Sequence, residues 1–467
     1  MSGTEMTGAE IVIKALKDQG VEVVFGYPGG AVLPIYDAIF GANGIRHILV
    51  RHEQGALHAA EGYARSTGKP GVVLVTSGPG ATNAVTGLAD AMLDSIPIVC
   101  LTGQVASHLI GGDAFQEADT VGITRACTKH NWLVKEGADL ARIMHEAFLI
   151  ATTGRPGPVV VDIPKDVQFA KADYIGPDRI RHKTYRPQIK GEIKAITEMV
   201  DLIAEAKRPL FYTGGGVINS GPAASQLLRE LVKGTGIPIT STLMGLGCFP
   251  ASDPQWLGML GMHGTAEANY AMHDCDLMIC VGARFDDRVT GTIDTFSPGS
   301  KKVHIDVDPS SINKNVMVDL PIIGDVAHVL EDALRIWKAR GRPTQSAALK
   351  EWWDQIETWR ARDCLAYENS DKIIKPQHAI QRLQELTKGK DVYFTTEVGQ
   401  HQMWAAQHLR FEEPNRWMTS GGLGTMGYGL PAALGVQIAH PNSLVIDVAG
   451  EASVQMTMQE LSTAVQY

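Results

Sequence analysis

Several short segments of this chain place glycines, carboxylates or amides at the point where an apolar run gives way to a helical pattern. In parallel sheets that junction faces ligands. Gly26-Tyr27-Pro28-Gly29-Gly30 follows Val21–Phe25 and precedes a helical run that starts near Ala31. Glycines there let backbone approach a ligand closely, and a helix start offers free N–H groups; a tight turn explains the same residues. His52-Glu53-Gln54 follows Ile45–Val50, and Ala56, Leu57, Ala60 and Ala64 continue as a small apolar helix face. Glu53 in that first turn either complements the helix dipole or is a buried carboxyl able to share a proton with a ligand nitrogen. Thr76–Asn83 holds Pro79 between two glycines, and its Thr82-Asn83 can cap a helix or face a ligand. Gly111–Glu117 puts Phe115 and Gln116 in a loop. Gly214-Gly215-Gly216, Val281-Gly282-Ala283-Arg284 and the acidic Asp306 together suggest nucleotide binding. The G-x-G-x-x-G pattern is absent, which disfavours hydride transfer from a nicotinamide cofactor. Gly450-Glu451 ends a strand with a carboxylate that can hold Mg²⁺ against a diphosphate or simply cap the next helix.

These segments need strands to position them, and the chain supplies short, β-branched, almost continuously apolar runs. Examples are Gly71–Thr76, Ile96–Thr102, Pro158–Ile163, Leu210–Thr213, Asp276–Val281, Lys302–Asp308, Val392–Thr396 and Ser443–Val448. Runs of this kind are buried on both faces, and their alternation with helical stretches predicts parallel βαβ units. Polar, proline-bearing stretches at Gln168–Lys190, with a basic Arg179–Lys183, and at Ala339–Ser346 read as linkers. The expectation is an α/β protein of three doubly wound parallel-sheet domains, 1–170, 190–338 and 375–467, the third incomplete because the chain stops at Tyr467 inside an apparent helix, Gln455–Gln466. The 467 residues carry 42 Lys+Arg against 51 Asp+Glu, a net charge of −9, which excludes a nucleic-acid footprint. No apolar run reaches the ~18 residues of a membrane span, and the amino end lacks a signal layout. The six cysteines have no metal-type spacing and read as reduced thiols of a cytoplasmic protein.

Taken together, the segments resemble the thiamine-diphosphate-dependent enzymes, and among them the catalytic large subunits of acetolactate synthase. The carrying stretches are FGYPGG (Phe25–Gly30), RHEQGALHAAEGYAR (Arg51–Arg65), TSGPGATN (Thr76–Asn83), DAFQEAD (Asp113–Asp119), CTKH (Cys127–His130) and GRPGPVVVDIPKDVQ (Gly154–Gln168). MLGMHGT (Met259–Thr265), VGARFDDRVTG (Val281–Gly291), EVGQHQMWAAQ (Glu397–Gln407) and SGGLGTMGYGLPAA (Ser420–Ala433) follow in family order, so the resemblance spans essentially the whole chain.

The resemblance implies a pyrimidine-binding domain, a central FAD-binding domain and a diphosphate-binding domain. It makes Glu53 the carboxyl that hydrogen-bonds the cofactor's pyrimidine and promotes its imino tautomer. Pyruvate then loses CO₂ and its remaining two-carbon unit joins a second pyruvate or 2-ketobutyrate, the first common step of valine, leucine and isoleucine synthesis. Gly29, Gly30 and Gln116 are implied on the catalytic side, with Phe115 and Lys165 beside the substrate. Pro79, Asn83, Val398, Gly399, Gln400, His401, Gly424 and Met426 are implied thiamine diphosphate contacts. The implied FAD contacts are Arg155, Gly214, Gly215, Gly216, His263, Gly264, Thr265, Gly282, Ala283, Arg284, Asp306 and Asp325, with FAD taking no part in net redox chemistry.

Two departures stand out. Glu451 occupies the place of the family's Mg²⁺-binding Asp, and the Asn that supplies a second metal ligand would lie beyond Tyr467. They keep open a catalytically impaired, C-terminally truncated fragment or non-catalytic paralogue that binds FAD; a flavin-redox pyruvate oxidase is the other alternative. A homodimer or tetramer is implied because the two ends of the cofactor belong to different subunits in the family. A small regulatory subunit is implied as well.

Overall fold

A computed structural model describes residues 4–179, 182, 184–341 and 346–467. Parts of both expected linkers, positions 180, 181, 183 and 342–345 with Pro343 among them, lie outside the described residues. The chain forms two compact units: Met1–Arg186 with Tyr393–Gly399 and Met418–Tyr467, and Pro187–Val392 with Gln400–Trp417.

In the first unit the strands are β1 (Glu5–Thr7), β2 (Val23–Tyr27), β3 (Arg46–Leu49), β4 (Gly71–Val75), β5 (Ile98–Gln104), β6 (His130–Leu133), β7 (Val159–Pro164) and β8 (Lys171–Asp173). Six of them make a parallel sheet in the order β3-β2-β4-β5-β7-β6. β4, β5 and β7 are buried along their whole length, as the unbroken apolar runs require. Helices cover both faces. Gly8–Asp18 and Gly137–Thr152 pack on one side, and Glu53–Thr67 and Val85–Asp94 on the other. The Gly8–Asp18 helix starts with a reciprocal capping box between Thr7 and Glu10. The start of the expected Gln168–Lys190 linker is structured instead. Gln168 is fully buried and donates to the carbonyls of Ala31 and Ile163, and β8 pairs antiparallel with β1.

The second unit holds β9 (Pro209–Thr213), β10 (Ile239–Ser241), β11 (Trp256–Met259), β12 (Leu277–Val281), β13 (Lys301–Asp306) and β14 (Leu320–Ile323). They form one parallel sheet, β11-β10-β9-β12-β13-β14. A third sheet, in the order β16-β15-β17, joins β15 (Val392–Thr396), β16 (Trp417–Met418) and β17 (Leu444–Val448). The expected helix Gln455–Gln466 is not continuous. Helix Glu451–Gln455 ends, a short turn follows at Met458–Glu460, and a second helix runs Leu461–Gln466. Tertiary bonds break it: Thr457 Oγ1 donates to Gly427 O at 3.0 Å, and Glu460 turns back to accept from Arg51 N at 3.0 Å. No described helix is long and apolar enough to cross a membrane.

Candidate active site

In the first unit the strand order reverses between β2 and β4, and eight of the expected site residues lie at the carboxyl edge of that one sheet. Open α/β sheets bind ligands at such a switch point. Gly29 and Gly30 follow β2, Glu53 follows β3, Pro79 and Asn83 follow β4, Phe115 and Gln116 follow β5, and Lys165 follows β7. Gly29 lies so close to Thr76 that a Cβ would come within 2.5 Å of its Cβ, so glycine is needed to close the turn; at Gly30 nothing lies within 4 Å of the same position. That leaves backbone facing open space beside the switch point.

Glu53 opens the helix Glu53–Thr67, and His52 caps it by accepting from Gln54 N at 3.1 Å. The carboxyl is only 8% exposed, and Asn83 Nδ2 donates to its Oε2 at 3.0 Å. Thr82-Asn83 do not cap a helix; Gly78, with φ 55°, precedes the short helix Pro79–Asn83. A Cβ on Gly80 would stand 3.4 Å from Glu53 Oε1. Gln116, with φ 61°, passes its backbone beside Gly78, whereas the Phe115 ring is exposed. Lys165 is half-buried at the start of the helix Lys165–Phe169.

The third sheet builds a second cluster. Glu397 follows β15, is fully buried, and accepts from Gly427 N at 2.6 Å and Leu430 N at 3.2 Å. Burial pushes its carboxyl above the ordinary range, against the pull of those backbone N–H donors. Asp447 at the end of β17 is pushed up to about 7 by burial and by Glu397, and Thr395 Oγ1 donates to it at 3.0 Å. Gly424, with φ 76°, lies against Val398, its Cβ position 4.0 Å from Val398 Cγ1. Ser453 Oγ donates to Val398 O at 3.0 Å, which ties the helix led by Glu451 to the turn after β15. Val398, Gly399, Gly424, Met426 and Glu451 therefore belong to this first unit, while Gln400 and His401 begin the helix Gln400–His408 of the second. Glu451 is exposed at the first turn of its helix and belongs to no group of three or more His, Cys, Asp or Glu at ligand distance among the described residues. A single carboxylate suits Mg²⁺ when diphosphate oxygens and water complete its octahedron.

In the second unit the order reverses between β9 and β12, where Gly214–Gly216 and Gly282–Arg284 lie side by side. A Cβ on Gly214 or Gly216 would collide with Gly282, so these glycines serve close packing of two neighbouring turns. His263–Thr265 follow β11, Asp306 ends β13 and Asp325 follows β14, all on the same carboxyl edge. That edge fits a dinucleotide laid across the switch point. Thr265 and Asp325 also cap helices, Asp325 accepting from Ala327 N and Ser220 Oγ. Arg155 is in the first unit, where it donates to Ser95 Oγ at 2.8 Å and Met92 O at 3.1 Å.

Buried carboxylates are what sequence reasoning overlooked. The helix Glu53–Thr67 does not have a single apolar face; almost all of it is buried, including His58 and Glu61. Asp90, Asp94 and Glu460 are buried too. Acids spaced i,i+3 or i,i+4 with another polar residue inside otherwise small, apolar helices were the available signal, at His58/Glu61 and Asp90/Asp94.

Three family models match the chain: the N-terminal TPP binding domain of thiamine pyrophosphate enzymes over residues 6–123, the central domain over 196–333, and the C-terminal TPP binding domain over 397–467. They define a thiamine pyrophosphate enzyme with three α/β domains. The acetolactate synthase isozyme 3 large subunit of Escherichia coli is 52% identical over 464 residues, 99% of this chain and 80% of that protein. The acetolactate synthase large subunits of Haemophilus influenzae and Corynebacterium glutamicum are 51% and 50% identical over 99% and 98% of this chain, and the matches cover 80% and 73% of those proteins. The chain belongs to the acetolactate synthase large-subunit family.

Proposed function

We propose that this chain is an acetolactate synthase. It decarboxylates pyruvate and joins the two-carbon unit to a second pyruvate or to 2-ketobutyrate, the first common step of branched-chain amino-acid synthesis. The observation that carries this reading is the placement of Glu53. It is a buried carboxyl at the switch-point edge, steadied by Asn83, with Gly29 and Gly30 closing and opening the adjacent turn. Relatives at about half identity over nearly the whole chain favour it over a non-catalytic FAD-binding paralogue and over a flavin-redox pyruvate oxidase.

Thiamine diphosphate, when bound, supplies the electron sink for decarboxylation and carbon–carbon bond formation. Glu53 would hydrogen-bond the cofactor's pyrimidine nitrogen, and Asn83 steadies that carboxyl. Val398, Gly399, Gly424 and Met426, with Pro79, would form its cradle. Glu451 offers Mg²⁺ a carboxylate beside the diphosphate. Gln116, Phe115 and Lys165 meet the keto acids. The carboxyl edge of the second unit would hold FAD, which would serve structure. The three domains span 1–170, 190–338 and 375–467. The working form is a cytoplasmic homodimer or tetramer, open to a small regulatory subunit.

Incubating the purified chain with pyruvate, thiamine diphosphate and Mg²⁺ tests the reading. Acetolactate should accumulate without net flavin reduction; no acetolactate, or pyruvate-driven flavin reduction at the turnover rate, overturns it.

A further inference from the structure

Asp90 and Asp94 sit one turn apart on the buried side of the helix Val85–Asp94, and both are engaged with the glycine-rich loop Ser420–Thr425. Asp90 Oδ1 accepts from Ser420 Oγ at 2.5 Å and from Thr425 Oγ1 at 2.7 Å. Ser420 Oγ in turn accepts from Gly424 N at 3.0 Å and Thr425 N at 2.8 Å. Asp94 accepts from Gly421 N at 2.9 Å and Gly422 N at 2.7 Å. A loop with three glycines loses much conformational freedom when fixed, so bonds that hold it before a ligand arrives raise affinity.

Behind Asp90 lies a pair of unmet acceptors. Asp90 Oδ2 and Glu61 Oε2 are both fully buried without a donor, and His58, Glu61 and Asp90 bring one atom each within 4.8 Å of the others. His58 is held neutral, its pKa lowered to about 4 by burial. Its Nδ1–H therefore points to Glu61 Oε1 at 2.9 Å, and its Nε2 faces Gln54 Nε2 at 3.3 Å. Arg65 is committed to Thr419 O at 2.6 Å and Tyr428 OH at 3.2 Å. Two buried carboxylate oxygens facing one another without a donor repel unless a proton lies between them.

We propose that Asp90 is a positioning residue that fixes the Ser420–Thr425 loop ready for thiamine diphosphate, and that it does so while sharing one proton with Glu61. The proposal rests on the reading that Gly424 and Met426 of this loop cradle the cofactor. The groups facing Glu61 are His58 and Arg65 on its own helix, Asp90 and Asp94 on the neighbouring helix, and Tyr428. Burial first, then Asp90 and Asp94, hold the Glu61 carboxyl well above its ordinary value, with Arg65 opposing. Loss of this proton as pH rises would loosen the loop. Glu61→Gln replaces the proton with a permanent N–H and abolishes that loosening.

Amide hydrogen exchange of the ligand-free chain, paired with calorimetric titration of thiamine diphosphate plus Mg²⁺, tests this. Asp90→Ala should speed exchange at Gly424 and Thr425 and weaken cofactor binding, each by about tenfold, the scale of one lost charge-assisted hydrogen bond. Thr425→Val, a milder change that removes one of the two hydroxyl donors, should move both in the same direction by less. Glu61→Gln should stay within about twofold of wild type in both and keep its loop protection as pH is raised, where wild type loses protection. Unchanged exchange in both Asp90→Ala and Thr425→Val overturns the positioning role. Alkaline loosening that persists in Glu61→Gln, or a stoichiometric metal ion that disappears in Asp90→Ala, overturns the shared proton. If wild type bound no thiamine diphosphate while the exchange results held, the functional reading would fail and the loop assignment would stand.

Discussion

A carboxyl's meaning is set by what surrounds it. Glu53, Glu61, Asp162 and Asp447 are all acids in strands or helices, yet among these four Glu53 is the one that follows a strand beside the switch point of the first unit's six-stranded sheet. Asp162 of β7 is nearly fully buried, takes Thr102 Oγ1 at 2.6 Å and Gln104 Nε2 at 3.0 Å, and is pushed up to about 7 by burial. The folded chain therefore binds this proton more tightly than the unfolded chain, whose Asp titrates near 3.8. Stability from this group is complete below about pH 4 and is lost as pH rises through about 7, by at most ~4 kcal/mol. Urea denaturation from about pH 4 to about pH 8 should show wild type losing more stability than Asp162→Asn; parallel curves would refute the assignment. At this scale the positions of Gly29 and Glu53 just after strands were legible because apolar runs end before them. Asp90, Asp94 and Glu61 were not, because an acid on a short helix reads as solvated until tertiary structure buries it.

Helices meet closely where their residues are small. Glu53–Thr67 packs on Gly429–Ala439 through Gly62 and Gly435. A methyl group on Gly435 would run into Ala59 O, and one on Gly62 into Ala432 O, both rigid helix backbone. Gly435→Ala is expected to cost at least ~2 kcal/mol, since neither backbone can retreat without breaking helix bonds. Gly176→Ala, with nothing within 4 Å of the added carbon, should change stability by less than about 0.5 kcal/mol. Equal midpoints for the two variants in denaturant would contradict the close crossing. The strands themselves were readable as unbroken β-branched runs, each within two residues of its observed ends. The broken helix after Gln455 was not, because Thr457 and Glu460 are diverted by partners far away in the chain.

Across the whole molecule, two six-stranded parallel sheets repeat one device: strand order reverses near the middle, and glycine-rich turns gather at the carboxyl edge. The α/β class and the alternation of strand and helix were plain from sequence, and so was the cluster of glycine turns. The division into compact units was not, because residues 400–417 leave the carboxyl-terminal segment to join the central one, which no local composition announces. If cofactor ends come from different subunits, light scattering of the cofactor-loaded chain should give at least twice the mass of one chain; a monomer with full activity would contradict that arrangement. The most direct measurement is the rate of acetolactate formation by Glu53→Gln beside wild type, with thiamine diphosphate affinity and melting temperature taken on the same preparations. The rate should fall by about 10²–10⁴-fold while folding is preserved, the loss expected when an acid–base group is removed. A Glu53→Gln enzyme that makes acetolactate at the wild-type rate would contradict the role given to that carboxyl.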